Sequence, residues 1–208
     1  MALTNCLLFL STLIICSFAF SSATSSSKGN VSRLVATSAQ NAAPVKILKI
    51  VQYFDPTNLF DLQVSFRSYN FPNHLIRHSD FNVWSEDRKG GSYAKDATFT
   101  IRRALNGNQR AVSLESVNVP GHFIRHQGGN LFVHKGSGDL FNNDASFQIA
   151  FSRIGGLFGD LNYVSLESAN FPGHFIRHLN GRCRISKDDG SDLFEKDAAW
   201  QISTPLYE

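Results

Sequence analysis

The octapeptide FPNHLIRH at residues 71–78 returns as VPGHFIRH at 119–126 and again as FPGHFIRH at 171–178. Each copy carries two histidines four residues apart, and each heads a longer unit. The units run over residues 64–101, 112–149 and 164–202, and Pro72, Pro120 and Pro172 mark their spacing at 48 and 52 residues. A period of that size belongs to arrays or closed pseudo-symmetric folds.

Within each unit the pattern is that of β-structure. The first segment, VSLES in units two and three, alternates apolar and polar residues, and Asn-x-Pro then breaks the chain into a turn. HFIRH reads as a second strand. FNVWSE, NLFVHK and RCRISK read as third strands, and ATFTIRR, ASFQIAF and AAWQIST as fourth strands. Stretches such as GSGDLFNND, between third and fourth strands, read as loops. Four strands in each of three units predict an all-β chain of twelve strands. Three similar units without atypical caps favour closure over a solenoid, and the fold expected is a β-trefoil over residues 46–204, with KILKIVQYF at 46–54 as a lead-in strand. Val64, Val112 and Val164, then Ile76, Ile124 and Ile176, then Phe99, Phe147 and Trp200 form three apolar sets expected to be core layers.

The flanks have a different character. Residues 1–23 read as a secretory signal: an apolar run from Leu7 to Phe20 precedes Ser21, Ser22 and Ala23, although the terminal amine is the only positive charge before it. Residues 24–45 form a Ser/Ala-rich leader, with a glycosylation acceptor pattern at Asn30. Cleavage removes Cys6 and Cys16, leaving Cys183 as a buried small hydrophobe in a secreted domain without a disulfide. The formal charge of +3, scattered with no Lys/Arg block, argues against nucleic-acid binding, and after cleavage no membrane association is expected.

The repeated polar residues point to a function. Each unit has two histidines and, about eighteen residues after the second, an aspartate: His74, His78 and Asp96; His122, His126 and Asp144; His174, His178 and Asp197. Residues four apart on a strand share a face, so both histidines of a pair and the Ile between them are expected on one side, with the Phe and Arg on the other. Two such imidazoles stand about 13 Å apart by strand rise, too far to chelate one ion, so no metal and no cofactor are expected. A glycosidase needs two carboxylates about 5–10 Å apart around one bond. Glu115 and Glu167 have no counterpart in unit one, where Arg67 stands. Copied sites suit multivalent binding. A carboxylate accepts from neighbouring hydroxyls and imidazole donates, accepts and offers a ring face, a chemistry matched to a neutral polyol such as a sugar.

The pattern SxxSxNxPGHFIRH…DASF, across residues 46–204, resembles the arabinose-binding module of fungal and bacterial α-L-arabinofuranosidase B, carbohydrate-binding module family 42. The resemblance implies a β-trefoil binding L-arabinofuranose side chains of arabinoxylan and arabinan in pockets on its repeats. It carries the family's aspartate onto Asp96, Asp144 and Asp197 and its histidine onto His78, His126 and His178, with His122 and His174 as further candidates. Unit one departs most, with Asn73 for Gly, Leu75 for Phe and Arg67 for Glu, so units two and three are the expected binders. The family's large catalytic domain has no room in 208 residues. The expectation is a secreted, monomeric, non-catalytic lectin-like protein of the cell wall or extracellular matrix. The rival readings are a trefoil interaction or inhibitor module that has lost the sugar and a small arabinofuranose-releasing hydrolase.

Overall fold

The computed structural model describes residues 53–87, 90–152, 154 and 162–207. The signal and leader expected at 1–45, with Asn30, and most of the lead-in strand lie outside the described residues. The lead-in's end, Tyr53, makes a single antiparallel bridge to Ala150.

Among the described residues, twelve strands form one sheet, four to each repeat. The first repeat supplies β1 (Gln63–Ser68), β2 (His74–Ser79), β3 (Asn82–Asp87) and β4 (Phe99–Arg103). The second supplies β5 (Ala111–Ser116), β6 (Phe123–Gln127), β7 (Asn130–His134) and β8 (Phe147–Phe151). The third supplies β9 (Val164–Ser168), β10 (His174–Leu179), β11 (Arg182–Lys187) and β12 (Trp200–Ser203). The stretches expected as loops between third and fourth strands hold one short helix each: α1 (Tyr93–Asp96), α2 (Asp139–Asp144) and α3 (Asp192–Asp197). The sequence reads these as turns because each carries Gly and Asp; what winds them is the buried aromatic on each, Tyr93, Phe141 or Phe194.

First and fourth strands pair in a ring: β1 with β12, β12 with β9, β9 with β8, β8 with β5, β5 with β4, and β4 with β1. A ring of this kind leaves its members no free edge. The second and third strands make three hairpins, β2–β3, β6–β7 and β10–β11, whose third strands meet one another. Three equivalent backbone bonds of 2.8 Å tie the hairpins together, from Ser85 to Gly181, Val133 to Phe81 and Ile185 to Gly129, N–H to carbonyl in each case. The serine after each first-strand valine has a matching role: Ser65, Ser113 and Ser165 donate to the carbonyls of Ala97, Ala145 and Ala198 at 2.8, 2.7 and 2.9 Å, fastening each helix exit to the ring.

The three apolar sets all enter the core, and Ile76, Ile124, Ile176, Phe99, Phe147 and Trp200 are wholly buried. Cys183 lies in the same core, and burial pushes its thiol pKa up, so it stays protonated and unreactive.

The unit-one substitutions are mutually compensating. In units two and three Gly121 and Gly173 sit at φ +77° and +76° and donate their amides to Glu115 and Glu167 at 2.7 and 2.5 Å. At the equivalent turn Asn73 has no such left-handed backbone, and Arg67 instead donates to the Pro72 carbonyl at 2.6 Å. With the carbonyl rather than the amide facing the strand, a donor must replace the acceptor. Glu115 and Glu167 are therefore turn fasteners, which also accept from Arg102 at 2.7 Å and from the Tyr53 hydroxyl at 2.5 Å.

Candidate functional site

Each repeat-to-repeat junction builds one polar cluster. At the junction of units two and three, His126 Nε2 lies 2.9 Å from Asn170 Oδ1 and 3.0 Å from Ser168 Oγ. Asn170 donates its amide to Asp144 Oδ1 at 2.9 Å, while Arg125 donates to Oδ2 at 2.5 Å. Unit three closes on unit one in the same way. His178 Nε2 is 2.8 Å from Asn70 Oδ1, Asn70 donates to Asp197 Oδ1 at 2.7 Å, and Arg177 pairs with Oδ2. At the junction of units one and two, Asn118 donates to Asp96 Oδ1 at 2.7 Å, but His78 Nε2 turns to Ser116 Oγ at 2.8 Å.

The bonding fixes the proton positions. An ionised carboxylate only accepts, so Asn170 presents its NH2 to Asp144 and its oxygen to His126. Nε2 of His126 must then carry the proton, and the same holds for His178 beside Asn70.

The expectation that both histidines of a unit serve one surface is corrected here. His78, His126 and His178 are buried and stand over the aspartate of their own unit, at 3.6, 3.6 and 3.7 Å. The first histidine of a unit belongs to the junction before it. His74 lies in the cleft with His178 and Asp197, and both His174 and His126 pack around Phe171. The first histidine stands where the turn enters the strand: His74 and His174 open β2 and β10, and His122 just precedes β6.

Arginine is the second correction. Arg77, Arg125 and Arg177 alternate with the histidines along their strands, yet they reach the same aspartates, because the carboxylate sits at the end of α1, α2 or α3 and straddles the strand edge. Each guanidinium also lies over the helix aromatic, 5.5 Å from the ring centre of Tyr93, 5.7 Å from Phe141 and 5.1 Å from Phe194.

Asn70, Asn118 and Asn170 were legible only as turn formers, although their repetition in all three units was a usable signal. Phe71 and Phe171 were likewise missed. Each is 47% exposed and stands edge-on to the buried histidine, 5.2 Å from His178 or His126. Phe71 also stacks on His74 at 5.0 Å. The resulting cleft at the unit three–unit one junction has a volume of about 310 Å3 and is lined by Asn70, Phe71, His74, His178, Leu193 and Asp197 among others.

Burial holds the pKa values of His78, His126 and His178 below the ordinary histidine value, against the raising pull of the aspartates. The consequence for stability has a definite sign. Below pH 6.5 the unfolded chain takes up protons that the folded imidazoles refuse, so stability present above that pH falls as pH drops toward the depressed folded values. Thermal unfolding is expected at a lower temperature at pH 5.5 than at pH 7.5, and His126→Gln is expected to flatten that dependence. An unchanged Tm across the range would contradict neutral buried imidazoles.

These features define an all-β module with three related polar clusters, one at each repeat junction. Residues 56–149 and 150–208 match the alpha-L-arabinofuranosidase B (ABFB) domain, and the chain belongs to that family. Among solved structures it is similar to an α-L-arabinofuranosidase soaked with a cyclic sulfate inhibitor, at 23% identity and a TM-score of 0.64 over 74% of this chain and 33% of that one. It is also similar to an arabinofuranosidase complexed with arabinofuranosyl-α-1,2-xylobiose, at 24% identity and a TM-score of 0.63 over 72% of this chain and 32% of that one. The chain thus spans about a third of the length of these enzymes. A protein described as a BEL β-trefoil matches over 69% of this chain and 93% of its own, at 14% identity and a TM-score of 0.51. No curated protein matches the chain.

Proposed function

We propose that the chain is a β-trefoil carbohydrate-binding protein that recognises L-arabinofuranose side chains of arabinoxylan or arabinan through its junction clefts, without catalysis, after secretion to the cell wall or extracellular space. The observation that carries this reading is the construction of the cleft beside Asp197. It combines an ionised floor, a polar Asn–His relay and an exposed phenyl wall within about 310 Å3. A carboxylate offers about four acceptor sites, so the Asn and Arg bonds leave capacity for sugar hydroxyls. The phenyl ring offers a flat face to the C–H side of a small sugar ring. Aspartates on the floor and histidines above it fit Asp144 with His126 and His174, and Asp197 with His178 and His74, as sugar contacts.

Charge-assisted hydrogen bonds contribute about 1.5–3 kcal/mol each. One cleft then suits binding near millimolar, about −4 kcal/mol. Several clefts engaging one branched polymer raise the apparent affinity without new contacts. A hydrolytic reading has less support, since Glu115 and Glu167 are engaged as turn fasteners.

Calorimetric titration of the purified protein with arabinofuranosyl-substituted xylo-oligosaccharides, against unsubstituted ones, tests the reading. Binding restricted to the substituted ligand is expected, with no release of free arabinose. Equal heat from both ligands, or none from either at millimolar concentration, would sink it.

A further inference from the structure

The junction of units one and two differs from the other two at three places. The hairpin turn there contains Phe81, where the second and third hairpins have Gly129 and Gly181. The wall aromatic Phe71 or Phe171 is replaced by Val119. The helix residue Leu140 or Leu193 is replaced by Ser92.

Phe81 has a left-handed backbone, at φ +60°, beside Asp80 at +49°. Glycine occupies such a conformation freely, as Gly181 does at +79°, whereas a residue with a Cβ is strained there. A bulky aromatic held in that state has to be compensated by what its side chain touches. What it touches is His122: the two rings lie 5.8 Å apart at an interplanar angle of 27°. The equivalent histidine of unit one, His74, stacks instead on its own turn aromatic, Phe71, at 29°.

The corresponding position at the third junction faces its cleft. Asn180 and Gly181 line that cleft together with Ser85, and a Cβ built on Gly181 comes within 3.9 Å of the Ser85 carbonyl. A side chain at this turn position of the third hairpin would therefore stand at the cleft, whereas in the second hairpin a Cβ on Gly129 would meet the Arg184 guanidinium at 3.6 Å. The floor is altered to match. Ser92 donates to Asp96 Oδ2 at 2.5 Å, and Arg77 withdraws to 3.6 Å from that oxygen and pairs with Glu86 at 2.9 Å. Ser92 thus takes at Asp96 Oδ2 the place that Arg125 and Arg177 hold at the other two aspartates.

We infer that Phe81 is a built-in plug: its ring takes the stacking place over His122, so the cluster of His78, Asp96 and Asn118 is closed to sugar and two of the three junctions bind. The inference rests on the sugar reading of those two junctions. It makes Phe81, rather than any loss of the aspartate or histidines, the determinant of valency. Weak sites sum through avidity, so removing one junction sets how many branches a polymer must present to be held.

The test is a titration with methyl α-L-arabinofuranoside, a ligand with one sugar, followed through the imidazole signals of the full chain by NMR. In the wild type, the signals of His126, His174, His178 and His74 are expected to move and saturate while those of His78 and His122 stay fixed. In the double variant Phe81→Gly with Val119→Phe, all six are expected to respond. Phe81→Asn is a second variant, since Asn180 already occupies the left-handed region at φ +52° in the third hairpin. Saturable movement of His78 and His122 in the wild type would overturn the plug. So would their silence in both variants while the other four respond. Silence of all six in every protein would overturn the sugar reading itself, and the plug with it. Without ligand, Phe81→Gly should shift the His122 signals and leave those of His174 unchanged; an unmoved His122 counts against the inference independently of any sugar.

Discussion

Replacing Asp144 with alanine is expected to lower the free energy of unfolding by about 3–5 kcal/mol and to abolish sugar binding at the junction of units two and three. The aspartate and its partner Arg125 keep only 6% and 12% of their side-chain surface exposed, and they are joined at 2.5 Å. Removing the carboxylate leaves the guanidinium buried without a counter-charge and the Asn170 amide without its acceptor. A typical domain is stable by about 5–15 kcal/mol, so the loss is a large fraction of the whole. Exchanging both partners for apolar groups is different, because the desolvation of two charges is no longer required. The double variant Asp144→Leu with Arg125→Met is therefore expected to recover most of the stability while sugar binding stays absent. Urea unfolding at constant m, beside the titration with substituted xylo-oligosaccharides, separates the two effects. Recovery of binding together with stability would show that Asp144 holds the cleft together and does not touch the sugar.

The same carboxylate illustrates what a sequence carries and what it hides. Repetition made the aspartates and histidines visible, and period-two alternation placed VSLES and HFIRH on strands, because both signals are local in the chain. Which histidine meets which aspartate is not local. His174 and His126, which stands over Asp144, meet around Phe171 only because the turn after β9 crosses to the unit before it, and no spacing within one repeat encodes that crossing. Strand alternation also misplaced Arg125: it fixes the side from which a residue leaves the strand, and a long side chain can return around the edge to a helix-end carboxylate. Asn170 was hidden by a different ambiguity, since a turn and a ligand relay ask for the same residue. Arg67 was read as decay of unit one. The structure gives it a compensating bond to Pro72, and the real departure lies at Phe81, a position whose meaning depends on its backbone angle.

The core and the clefts are coupled through the fourth strands, and Trp200 is where that coupling is strongest. Its indole is wholly buried, donates Nε1–H to the Ile176 carbonyl at 3.0 Å, and stands edge-on beneath His178 with ring centres 5.9 Å apart. Phe99 and Phe147 hold the same place beneath His78 and His126 at 6.4 and 6.5 Å, without a polar atom. Trp200→Ala is expected to cost about 3–5 kcal/mol through the cavity it leaves. It should also release His178 from below, so that the bond to Asn70 and with it the cleft over Asp197 lose their geometry. Trp200→Phe restores what the other two units use. Its cost should be closer to about 1 kcal/mol, for the lost indole bond plus some volume, with sugar affinity at that junction retained. Denaturant unfolding gives the first comparison and the imidazole signals of His178 and His74 under ligand give the second. If Trp200→Ala kept full affinity at this junction, the buried histidine would be positioned by its polar neighbours alone, and the core beneath it would have no part in recognition.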